Sequence, residues 1–68
     1  MKDKPVANLI GVNRNIFELL AIAHRVLQTN GQIEEAEDMV LEVKESHSYN
    51  EALEVIGRYV EVVGYEDQ

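Results

Sequence analysis

The stretch Asn15-Ile16-Phe17-Glu18-Leu19-Leu20-Ala21-Ile22-Ala23-His24-Arg25-Val26-Leu27-Gln28-Thr29-Asn30-Gly31 decides the fold. Within it Ile16, Leu19, Leu20, Ala23, Val26 and Leu27 recur at steps of three and four, the spacing that gathers side chains on one face of an α-helix. Phe17 and Ile22 flank that face on opposite sides. Only Glu18, Arg25, Gln28 and Thr29 make a clearly polar strip, so this helix is expected to be the most enclosed element of the domain. Its limits are also readable. Asn15 with Glu18 three residues on resembles a capping box with asparagine in the serine position, because an amide oxygen can accept from a free N–H at a helix start. Asn30-Gly31 supplies the left-handed residue that commonly ends a helix.

Working outward toward the C-terminus, a second helix is predicted from about Gln32 to Glu45, with Ile33, Ala36, Met39, Val40 and Val43 on one face. Glu34, Glu35, Glu37 and Asp38 crowd its first turns and Lys44 lies near its end, so the charges complement the helix dipole. Ser46-His47-Ser48 breaks the pattern, and Ser48 with Glu51 forms a second capping box. A third helix then carries Tyr49, Ala52, Leu53, Ile56, Tyr59 and Val60 on one face, with Glu54 and Arg58 placed for an i,i+4 ion pair. Gly57 weakens this helix by about 1 kcal/mol relative to alanine, which suggests that a neighbouring backbone passes close to it. Leu20 and Ile56 are expected core residues.

Both ends of the chain change character. Residues 6 to 12, Val6-Ala7-Asn8-Leu9-Ile10-Gly11-Val12, and the segment Val60-Glu61-Val62-Val63-Gly64-Tyr65 are rich in β-formers and read as short strands. An isolated strand cannot satisfy its own backbone groups, so the two terminal segments are expected to pair with each other against the helices, in a direction left open. The predicted fold is therefore mostly α (α+β): a three-helix domain with a short two-stranded pairing of the N- and C-terminal segments. Residues 6–65 form one domain in this reading, with residues 1–5 and 66–68 disordered.

The whole chain sets further bounds. A domain of 68 residues buries only about 60% of its unfolded surface, and with no cysteine to form a disulfide it must rely on packing or self-association. Thirteen acidic residues against six basic ones give a net charge of −7, which repels polyanions, so nucleic acid is not an expected partner. A helix-turn-helix use of helices 2 and 3 fails on the same ground, since Glu51 and Glu54 would meet phosphate. Apolar runs such as Leu19 to Ala23 are far short of the roughly 20 residues a membrane helix needs. The start of the chain does not read as a secretory signal, so the cytoplasm is the expected location.

Leu9-Ile10-Gly11-Val12-Asn13-Arg14-Asn15-Ile16-Phe17 resembles the opening of a set of small bacterial proteins of phage or mobile-element type. These carry an Ile-Gly, an asparagine turn, an Asn-x-Phe and Gly-punctuated helices. The likeness runs on through Gly31, Ser48-Tyr49 and the valine-rich end, and thus covers most of the chain. Where those proteins have glycine between the two asparagines, this one has Arg14. The resemblance implies a three-helix fold and brings no activity with it.

Chemistry-bearing clusters are sparse. His24 and His47 stand on different elements without a third ligand, so neither is expected to hold a metal, and His24 is expected to be a partly buried structural ring. No cofactor is expected, an acyl-carrier Asp-Ser-Leu motif is lacking, and the chain is not expected to be an enzyme. Glu34, Asp38, Glu42 and Glu45 are expected on the side of helix 2 away from the core. Leu41 lies among them, and ringed by Glu37, Asp38, Glu42 and Glu45 it resembles the centre and rim of a small protein interface. The turn Asn13-Arg14-Asn15, leading into a helix start, is the candidate contact for a small anion or phosphate. A protein partner or a homodimer is the leading expectation, a non-enzymatic interaction or regulatory role the leading function. Phe17, Ile22, Val55 and Tyr65 lie at the margins of their apolar faces or in the tail, where a second copy would help to cover them.

Overall fold

A computed structural model describes residues 4–9, 11–12 and 15–64. Asn13 and Arg14 of the candidate anion turn, Tyr65, residues 1–3 and residues 66–68 lie outside the described residues; of the segment 1–5 read as disordered, Lys4 and Pro5 are described and take part in hydrogen bonds. In chain order the elements are β1 (Val6–Asn8), α1 (Ile16–Thr29), α2 (Ile33–Lys44), α3 (Tyr49–Tyr59) and β2 (Glu61–Val63). The strands pair in parallel, with Val6 opposite Glu61, Ala7 opposite Val62 and Asn8 opposite Val63. A parallel pair needs a long crossover, and here all three helices form it. Two hydrogen bonds bracket the ladder: Glu61 N–H donates to the Pro5 carbonyl at 2.8 Å and Leu9 N–H to the Val63 carbonyl at 2.7 Å.

Both strands are shorter than their sequence patterns. Beyond Asn8 the chain turns, with Val12 N–H donating to the Leu9 carbonyl at 3.1 Å and Gly11 at φ 78°, a conformation that removes it from any strand. At the other end Val60 is extended yet completely buried, and it closes α3 by donating to the Ile56 carbonyl.

The helix ends follow their capping chemistry. Asn15 Oδ1 accepts from Phe17 N–H at 2.8 Å. At the far end of α1, Gly31 takes φ 77°, its N–H donates to Gln28 and that of Gln32 to Leu27, the paired bonds of a Schellman stop. Ser48 Oγ accepts from Glu51 N–H at 3.1 Å, and Glu51 reaches back to the N–H of His47 rather than to that of Ser48.

The core is shared evenly. Each helix buries three side chains: Leu19, Ala23 and Leu27; Ala36, Met39 and Val43; Ala52, Val55 and Ile56. Ala7 and Leu9 close it from the strand side. The expectation that α1 is the most enclosed element therefore fails, because its face through Phe17, Ala21 and Arg25 has no neighbouring element over it. Leu20 is half-buried rather than central, whereas Ile56 is fully buried as expected. Val55, read as marginal, is buried because α3 packs against both other helices. Ile33 and Tyr49, read as core-facing, stand at helix starts and remain exposed. No backbone crowds Gly57: a Cβ there would meet nothing within 4 Å. Its carbonyl instead accepts from Lys4 Nζ at 2.8 Å. Among the described residues no helix is long and apolar enough to cross a membrane.

Candidate interaction surface

The acidic ring expected on α2 is divided by packing. Leu41 is 59% exposed, with Glu37, Asp38 and Glu45 exposed around it. Glu42 does not project away from the core. Its carboxylate accepts from the Tyr59 hydroxyl at 2.7 Å and pairs with Arg58 at 3.3 Å, because α3 lies alongside. Arg58 is thereby drawn across to α2 instead of pairing with Glu54 on its own helix. Glu37 in turn stands 3.3 Å from Nε2 of the partly buried His24, tying α2 to α1.

The Tyr59–Glu42 contact has an electrostatic consequence. A phenolate there would lose its hydrogen bond to the carboxylate and, part-buried, would face a like charge, so the Tyr59 hydroxyl is pushed up to about 12. Beside this pair lies an acidic hollow of about 360 Å³, lined by Glu42, Glu45, Glu51 and Glu54 with Arg58. Among the described residues no three His, Asp or Glu side chains converge as a metal would require. Several hydroxyls already serve the scaffold: Ser46 Oγ donates to the Val43 carbonyl, Ser48 Oγ caps α3, and Tyr59 holds Glu42.

Of the candidate anion turn only Asn15 is described. Its side-chain oxygen is committed to Phe17 N–H as the cap of α1.

The feature that packing creates lies around Phe17. This ring, the single phenylalanine of the chain, is 73% exposed on the first turn of α1. Below it the start of α1, the end of α2 and the start of α3 leave a groove of about 500 Å³. Ile16, Leu20, Val43 and Ala52 give it apolar walls, Tyr49 stands at its side, and Lys44 is the one charged residue that lines it. A second hollow of about 430 Å³ opens on the other side of Phe17, between Leu20, Ala21, His24, Arg25, Gln28 and Val40. Leu41 lines neither. A third hollow, also of about 430 Å³, runs along Asn15, Glu18, Ala21 and Ile22, so the surface is an aromatic knob bordered by three depressions, on the part of the molecule least burdened with carboxylates.

The helical repeat places Phe17 at the margin of its face and carries no sign of the groove. Ile16, Val43 and Tyr49 come from three different helices, and no spacing along the chain records their meeting. Comparison of the chain with protein-family models, with curated proteins and with solved structures finds no match.

Proposed function

We propose that this domain is a small non-enzymatic protein-interaction module working in the cytoplasm, and that Phe17 with its flanking grooves is the contact. The observation that carries the reading is the exposure of Phe17, 73%, beside an apolar groove walled by three helices. A large aromatic exposed in this way contributes little to its own fold, while such side chains dominate the energetics of interfaces when a partner covers them. The groove supplies the surrounding apolar surface that excludes water from an anchor. The hydroxyls committed to capping and bridging also favour a scaffold over a reaction centre.

A photo-crosslinking side chain placed at Phe17, at Leu41 or at Glu34, with adducts mapped by mass spectrometry in the source cell, tests the reading. We expect a defined polypeptide adduct from position 17, with its attachment point mapped, and little from position 34. Equal background labelling from all three positions would remove the proposal. Adducts from position 41 alone would move the contact to the acidic face of α2.

A further inference from the structure

We propose that the outer face of α1 pairs with the same face of a second copy of this chain, antiparallel about a two-fold axis passing at Ala21; this rests on the interaction reading of Phe17 and names its partner.

At 100° per residue, Phe17, Glu18, Ala21, Arg25 and Gln28 share one arc of α1, opposite the buried Leu19, Ala23 and Leu27. All five are exposed. Ala21 sits at the centre of the arc, and a small side chain there lets a second helix approach to about 8 Å, the near end of the range for packed helices. The charge on the three helices is uneven. α2 carries five carboxylates against Lys44 and α3 two against Arg58, whereas α1 carries Glu18 against Arg25. A second chain at −7 therefore meets the least repulsion on α1.

The arrangement along α1 is complementary to its own reverse. Glu18 lies three residues before Ala21 and Arg25 four after it. Phe17 lies one turn before Ala21, and the hollow that it lines with Leu20, Ala21, His24, Arg25, Gln28 and Val40 runs from it to Gln28, about two turns beyond Ala21. One turn is about 5.4 Å of helix, so Phe17 and the His24–Arg25 section of the hollow stand at nearly equal distances from the axis. Reversing one copy about Ala21 brings each Glu18 against the other's Arg25 and each Phe17 ring over the other's hollow, where the Arg25 guanidinium can lie on its face. Among the described residues neither Glu18 nor Arg25 is held in an ion pair within the chain. A two-fold contact makes the Glu18–Arg25 pair twice, as an isologous interface requires. A parallel pairing would instead set like charge against like, and a basic helix laid on the same face would meet Arg25.

Sedimentation of the full chain at low salt, from micromolar to near-millimolar concentration, tests the pairing. The wild-type mass should rise toward that of two chains. Glu18→Arg and Arg25→Glu should each weaken association about tenfold or more, as removal of close interfacial charge pairs does, while circular dichroism shows both variants folded. An equimolar mixture of the two variants should associate again, because each introduced charge then faces its opposite. A wild-type chain that stays monomeric throughout overturns the pairing, and so does a mixture no better associated than either variant alone. If the wild type is monomeric while position 17 crosslinks to a different protein, the pairing falls and the interaction reading stands. If position 17 crosslinks to nothing, the reading itself falls.

Discussion

At the scale of single residues, burial separates side chains that share a helical face. Ile56 is 1% exposed and Leu20 only half-buried, although both repeat with apolar neighbours at helical spacing. Ile56→Ala should cost about 2–5 kcal/mol in urea unfolding, with Leu20→Ala well below it. Equal losses would mean that the face of α1 is covered more completely than the structure shows. Phe17→Ala should change stability by no more than about 0.5 kcal/mol, as expected for an exposed side chain. Tyr59 adds a dependence on pH. In the unfolded chain its phenol ionises near 10, and beside Glu42 the folded chain keeps the proton up to about 12. Between those values the folded state binds more protons, so the contribution is fully present below pH 10 and is lost as the pH rises through about 12. Tyr59→Phe should flatten the fall in stability over that alkaline interval, and an unchanged profile would show that other groups govern it.

At the scale of elements, local capping chemistry and backbone geometry set the limits. α1 begins after Asn15 and ends at Asn30, and α3 begins after Ser48, all where the cap residues indicated. Ser48→Ala should cost about 0.5–2 kcal/mol, since it frees the N–H of Glu51. The two glycines near helix ends respond oppositely. Gly31 at φ 77° holds a conformation that costs an L-residue about 1–2 kcal/mol, so Gly31→Ala should destabilise. Gly57 is helical with open space where a Cβ would stand, so Gly57→Ala should stabilise by about 0.4–1 kcal/mol. Paired thermal melts check both signs, and a loss at position 57 would show that the glycine is needed for something the free fold does not display. Strand limits were harder to read, because Leu9 and Val60 continue the β-like composition while serving as core plugs beside a turn and a helix end.

At the scale of the whole molecule, β1 and β2 join the two ends of the chain across three helices, over 50 residues apart in sequence. The bond from Glu61 N–H to the Pro5 carbonyl is one of the few that close this circuit. Glu61→Pro removes that donor where the preceding Val60 is already extended, at φ −135° and ψ 155°, the region proline demands of its neighbour. The substitution should cost about 1 kcal/mol, lowering the melting temperature by roughly 4–8 °C in a domain of this size, with the helical signal kept. An unshifted melt would show that the strand pairing adds nothing to the stability of the helical core.

Sequence alone determined the three helices, their order, most of their ends and the pairing of the terminal segments. These follow from periodicity, capping and the need of a strand for a partner, all of which act over a few residues or admit one economical solution. Only the tertiary structure decided the parallel direction of the strands, the inward turn of Glu42, the burial of Val55 and the opening around Phe17. Each of these depends on which helices lie side by side. The physical reason is that exposure and contact belong to pairs of elements. A helical repeat states that Phe17 lies at the edge of a face, and only the arrangement of α1, α2 and α3 leaves that edge uncovered.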